Sequence, residues 1–177
     1  MASYPAFNIM YVMFFLMLFV PTSIAATQAK REQIALDFTV HEIQSGPNAT
    51  LLMASGTGGM GTVTVFDNTV HEGENPDTKL LGRATGSGMV TTLDGMNGGL
   101  QIQSQISFGE GSMYNGSSIL FTGTVFTPMV PWEVVVVGGT GYFRGIRGYA
   151  YVEPGTSSPP VDTFKWSVRA WKWTKQV

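Results

Sequence analysis

Glu42 lies in the run Leu36-Asp37-Phe38-Thr39-Val40-His41-Glu42-Ile43. In an extended strand it shares one face with Phe38 and Val40, while Asp37, Thr39 and His41 share the other. If the Glu42 face looks into the protein, burial raises the carboxyl pKa toward values useful for a proton donor. If it looks outward, Glu42 is a rim carboxylate at a strand end. Arg147 stands between Ile146 and the Gly148-Tyr149 pair. An arginine among apolar and aromatic neighbours needs either a carboxylate on an adjacent strand or a ligand oxygen. Trp166, Trp171 and Trp173 alternate with Lys165, Lys172 and Lys175. Such rings can stack on sugars or nucleobases, but a closing strand or an oligomer interface with solvated lysines is the plainer account.

Other chemical patterns lack their context. Gly56-Thr57-Gly58-Gly59-Met60-Gly61 has the spacing of a dinucleotide loop, yet it opens a strand instead of a helix. Gly138 to Gly141 could cradle an anion, but it lies between two strand-like runs and reads as a hairpin turn. His41 and His71 are the only histidines, and neither falls in a metal-binding H-E-x-x-H pattern. There is no G-x-S-x-G elbow for a serine hydrolase. The chain has no cysteine, which excludes disulfides, thiolate zinc sites, iron–sulfur clusters and thiol nucleophiles. Ten basic against twelve acidic residues leave no electrostatic footprint for nucleic acid.

The elements that must position these residues are strands. With 177 residues, 44% of them hydrophobic, the chain can build one core unaided. Its 22 glycines argue against a helical bundle, since each costs about 1 kcal/mol inside a helix. Period-two alternation runs through Leu36 to Ile43, Thr62 to Phe66, Leu100 to Phe108, Ser118 to Val125, Glu133 to Val137, Ile146 to Val152 and Phe164 to Trp173. The clearest of these places Leu100, Ile102, Ile106 and Phe108 on one face and glutamines on the other. A weaker, glycine-interrupted stretch from Leu80 to Thr92 brings the expectation to about eight strands. Gly82, Gly86 and Gly88 suggest bulges or corners there, which favours closure into a barrel. Pro154 to Pro160 reads as a loop, and no segment reads as a helix of useful length.

The first 29 residues contain no charged side chain, and Ile9 to Val20 is apolar apart from the Tyr11 hydroxyl. That run is too short for a membrane span of about 20 residues and matches a signal-peptide core. Pro21 and Ser23-Ile24-Ala25 supply a cleavage site, with Ala26 and Ala29 as alternatives. The expectation is a cleaved leader over residues 1–25 and a secreted domain over residues 26–177, with no membrane association after cleavage. The sequons at Asn48 and Asn115 would then be glycosylation sites.

In order and spacing the motifs resemble the plant dirigent proteins. The resemblance runs through Leu36-x-Phe38-x-x-His41-Glu42-Ile43, Gly61-Thr62-Val63-Thr64-Val65-Phe66-Asp67, Leu80-Leu81-Gly82-Arg83-Ala84-x-Gly86, Tyr114-Asn115-Gly116-Ser117 and Val137-Gly138-Gly139-Thr140-Gly141-x-Phe143-Arg144-x-x-Arg147-Gly148-Tyr149-Ala150. It implies an eight-stranded antiparallel β-barrel of the allene-oxide-cyclase-like kind, forming a homodimer or homotrimer in the plant apoplast. It also implies stereochemical steering of monolignol-derived phenoxy radicals into lignans of one handedness. Oxidation would be carried out by a separate laccase or peroxidase, with no cofactor or metal in the barrel itself. Some relatives act instead as enzymes that cyclise or dehydrate quinone methides. Carried over residue by residue, the resemblance assigns Glu42 as the acid and Arg147 as the phenol or phenolate partner. It places His41, Tyr114 and Phe38 at the substrate. Where several relatives carry an acid beside the Gly-Gly-Thr-Gly-x-Phe turn, this chain has Gly141 and Tyr142. A polysaccharide-binding wall protein using the C-terminal tryptophans is a third reading.

Overall fold

A computed structural model describes residues 29–175, so the expected leader and its cut after Ala25 lie outside the described residues. The chain forms nine strands: β1 (Ala29–Ile43), β2 (Leu51–Ser55), β3 (Val63–His71), β4 (Leu80–Val90), β5 (Leu100–Phe108), β6 (Ser118–Val125), β7 (Trp132–Thr140), β8 (Arg147–Ser158) and β9 (Val161–Lys175). The helical elements among the described residues are two single 3₁₀ turns, Gly95–Gly98 and Gly141–Phe143.

All strand pairings are antiparallel, in the order β1-β9-β8-β7-β6-β5-β4-β3. β1 then returns to β3 through Thr39↔His71, Val40↔Val70 and His41↔Thr69, which closes an eight-stranded barrel. Closure leaves no long unpaired edge. The first part of the same β3 edge is taken by β2, with Leu51 opposite Phe66 and Leu52 opposite Val65. The period-two reading did not anticipate β2, because its five residues show no alternation and four of them are exposed.

Burial follows the strand period. β5 alternates inward Leu100, Ile102, Ser104, Ile106 and Phe108 with outward glutamines and Ser107. Inward Val134 and Val136 of β7, Ala150 and Val152 of β8, and Trp166 and Val168 of β9 extend the core around the ring. Gly82, Gly86 and Gly88 occupy inward positions of β4. A Cβ at Gly82 or Gly86 would collide with the carbonyl oxygen of Ser107 or Gln103 on β5, so these glycines permit the tight coiling a small barrel needs. One bulge accompanies them, between Val70 and His71.

Two boundaries and the setting of the β9 lysines differ from the sequence reading. Gly138 to Thr140 continue β7, with a bulge opposite Leu120 and Phe121, and the chain turns only at Gly141–Phe143. Pro154 to Ser158 is strand, bulged between Pro154 and Ser157, and the hairpin turns at Pro159-Pro160. The lysines of β9 are not all solvated. Lys172 falls in the inward row with Trp166, Val168 and Ala170 and is 8% exposed. Its ammonium donates to the Tyr142 carbonyl at 2.7 Å and lies 3.2 Å from the centre of the Tyr142 ring.

Candidate functional site

The barrel holds an apolar cavity of about 220 Å³ at the end where β1 and β6 finish and β5 and β9 begin. Five aromatic side chains line it: Phe66, Phe126, Trp132, Phe164 and Trp166. Phe126 adopts φ 59, a left-handed conformation that bulky residues avoid. Its ring packs 4.9 Å from that of Trp132 and 5.6 Å from that of Phe164.

Glu42 enters this cavity from β1. Alternation from Phe38 and Val40 carries it to the inner face, where it is 6% exposed. Asn68 of β3 donates to one carboxyl oxygen at 3.0 Å, and Gln44 donates to the other at 3.4 Å. Gln44 also donates to Asp162 at 2.5 Å, joining the rim carboxylate to the buried one. Burial is the main force acting on Glu42 and pushes its pKa above the ordinary carboxyl value. The Asp162 charge pushes the same way, and the Asn68 and Gln44 bonds oppose it in part. The arrangement favours a carboxylic acid that keeps its proton where exposed carboxyls lose theirs.

Asn68 is the partner that sequence reasoning missed. The Thr50 hydroxyl accepts from the Ile43 amide at 2.8 Å and donates to the Asn68 carbonyl oxygen at 2.6 Å, which fixes the Asn68 amide toward Glu42. An amide in the inward row Thr64, Phe66, Asn68, Val70 was the available signal. Asn68→Leu removes the donor and leaves the carboxyl in apolar surroundings, so the Glu42 pKa moves further up. The expected outcome is a Glu42 carboxyl that titrates at higher pH than in the wild type, checked by NMR titration of the side-chain carboxyl carbon. An unshifted titration would mean that Asn68 does not act on the carboxyl.

The other sequence-predicted residues do not converge here. Phe38 lies one layer behind the cavity, its ring stacked 6.0 Å from Trp166. His41 takes the opposite face of β1 from Glu42. Its Nε2 donates to the Gly73 carbonyl at 3.0 Å, and its ring packs 4.6 Å from His71, which places it outside the bore. Arg147 is exposed at the start of β8, and its guanidinium donates to the Ile146 carbonyl at 2.7 Å. Strand parity puts it outward, since the next inward residue of β8 is Ala150, so it meets no ligand in this cavity.

Tyr114 is at the other end of the barrel. Its ring packs 5.0 Å from Tyr142 and 4.9 Å from Phe143, and Tyr142 donates to Glu32 at 2.6 Å. Glu32 and Glu42 lie on the same strand ten residues apart, about 33 Å at strand rise. Tyr114 and the Gly141-Tyr142 turn are therefore remote from Glu42. At that far end the Glu32 bond raises the Tyr142 pKa to about 12, and the same bond lowers that of Glu32. This cluster closes the barrel end with charge and aromatic packing. Asn48 and Asn115 are both exposed, each in a turn. Trp171 and Trp173 face outward, with the Arg31 guanidinium 4.2 Å from the Trp171 ring and covering one of its faces.

Known proteins match this chain along most of its length. Residues 33–170 match the family of Dirigent-like proteins. Pterocarpan synthase 1 of Glycyrrhiza echinata is 33% identical over 124 residues, covering 65% of this chain and 64% of that protein. Dirigent protein 11 of Arabidopsis thaliana is 34% identical over 122 residues, covering 65% and 62%. The chain thus spans a little under two thirds of the length of these curated relatives. Among solved structures, one pterocarpan synthase dirigent protein superposes with a TM-score of 0.72 at 23% identity, over 84% of this chain and 89% of the other. A second gives 0.71 at 25% identity, over 81% and 97%.

Proposed function

This chain belongs to the dirigent family, and from that premise we propose that its cavity binds a phenol-derived quinone methide or the alcohol that precedes one, with Glu42 moving the proton. The observation that carries the reading is a single buried carboxyl, held toward its neutral form, in an otherwise apolar, aromatic-walled cavity. Neutral Glu42 donates its proton to a departing side-chain hydroxyl, and water leaves. A second hydroxyl of the substrate then adds to the same carbon and returns its proton to the carboxylate. The net change is loss of one water and formation of one C–O bond, with the acid restored and no electrons transferred. The names of the pterocarpan synthase relatives fit such ring formation.

Stereocontrol comes from the walls. Presenting one face of the flat electrophile over the other by about 1.4 kcal/mol gives tenfold selectivity, within reach of packing against Phe66, Trp132 and Trp166. In the same proposal the protein is secreted and carries out no oxidation itself, any oxidation of the phenolic precursor being left to a separate oxidase.

The test is the benzylic alcohol that precedes the quinone methide, incubated with and without the protein and followed by initial rate and by chiral chromatography of the product. Faster consumption together with an enantiomeric excess supports acid catalysis. A changed enantiomer ratio at the spontaneous rate would replace it with the non-oxidising guide for phenoxy radicals. A racemic product at the spontaneous rate overturns both.

A further inference from the structure

One polar atom in the cavity wall has no partner. Along β5 the inward row is Leu100, Ile102, Ser104, Ile106 and Phe108, so a hydroxyl occupies a position where the strand otherwise sends hydrocarbon. Ser104 lines the cavity and is 5% exposed. Its Oγ is the one buried side-chain polar atom without a hydrogen bond among the described residues. Glu42 and Asn68, also in the wall, bond each other. Burying a hydroxyl unpaired is costly, and such exceptions need a reason.

Ser104 is paired with Gly86 on one side and Phe121 on the other, and the ring of Phe66, another residue of the cavity wall, stands over Gly86 where a Cβ would be. Around the ring, β1 is followed by β3, β4 and β5. Glu42 and Ser104 are thus three strands apart in a barrel of eight, facing one another across much of the bore. Arg147, which the sequence offered as the phenolate partner, is exposed on the outer face. That leaves Ser104 as the unengaged donor inside.

We propose that the Ser104 hydroxyl donates to the phenolic oxygen of the substrate, the atom that becomes the quinone methide carbonyl, while Glu42 meets the side-chain oxygen at the other end. This rests on the reading of the cavity given under Proposed function. It specifies the substrate class further: an aromatic skeleton with a free phenol at one end and the reacting side-chain oxygen at the other. Charge that collects on the phenolic oxygen during addition is then met by a fixed donor in a water-poor site.

The test is a binding cycle with wild type and Ser104→Ala against two probes, coniferyl alcohol and 3-methoxycinnamyl alcohol, which differ only in the phenolic hydroxyl. Wild type should bind coniferyl alcohol roughly tenfold more tightly than the analogue, and Ser104→Ala should erase most of that difference while binding the analogue within about twofold of wild type. The variant should melt no lower than wild type, because it loses an unpaired group. A variant that still discriminates between the probes, or a wild type that never does, overturns the inference and leaves the cavity reading in place. Failure of the wild type to bind either probe overturns both.

Discussion

Glu42→Gln brings the rate of ring closure from the alcohol precursor down by about 10²- to 10⁴-fold, the range that a positioned general acid contributes, with the barrel intact. Glutamine keeps the length and planarity of the side chain and an oxygen that can accept from Asn68. What it removes is the transferable proton. Because the lost group is one whose ionised form is penalised by burial, the variant is not expected to be less stable at neutral pH. Initial rates and thermal melts on the same preparation check the two halves together. Full activity in Glu42→Gln would remove the carboxyl from the mechanism, whereas lost activity accompanied by unfolding would say nothing for it.

The raised pKa of Glu42 fixes the sign of its effect on stability. Below the ordinary value of 4.5 the group is protonated in both the folded and unfolded chain. Between that value and the raised folded one, the unfolded chain releases the proton while the barrel still holds it. The contribution of Glu42 is therefore fully present at acid pH and is lost as pH rises through the folded value. Glu32 and Asp37 are held below their ordinary values by Tyr142 and Arg169, so their contributions run the opposite way. The wild type minus Glu42→Gln difference in melting temperature isolates the buried carboxyl. That difference should move against the wild type as pH increases, and the rate of proton donation should fall over the same window.

How much of this was visible in the chain depends on whether a residue acts through its own strand or through a neighbour. Alternation is local, and it is readable in Leu100 to Phe108 because each residue reports its own face. The eight-stranded closure and the inward glycines of β4 could be expected on the same grounds. For Glu42, the sequence left two faces open. The choice is settled by closure of β1 onto β3, a contact between Val40 and Val70 that no spacing encodes. Arg147 and His41 carry the right chemistry on the wrong parity, one outward on β8 and one on the outer face of β1. Tyr114 fails for another reason: a motif match conveys order along the chain, and the β5–β6 turn lies at the barrel end opposite Glu42. Asn68 and Ser104 were passed over because a lone amide or hydroxyl within an apolar row looks unremarkable until its partner, or the lack of one, is known.

Trp166→Ala is expected to cost about 3–5 kcal/mol, a large share of the roughly 5–15 kcal/mol that holds a domain of this kind together. Trp166 is 6% exposed. Its ring is stacked on Phe38 at 6.0 Å and meets Phe121 edge-on at 5.1 Å. Truncation to alanine removes both aromatic contacts and the apolar burial of the ring, and the closed barrel cannot collapse into the space. Because Trp166 also lines the cavity, the enlarged bore holds a flat ligand in several orientations. Enantiomeric excess should therefore drop even in the fraction that remains folded. Trp173 supplies the control, seven residues further along the same strand. It is 63% exposed, and its replacement by alanine should stay within about 0.5 kcal/mol. Urea denaturation of the two variants measures the difference. Equal costs would mean that the inner and outer faces of β9 are misassigned. A normal enantiomeric excess from folded Trp166→Ala would mean that the aromatic wall does not hold the substrate.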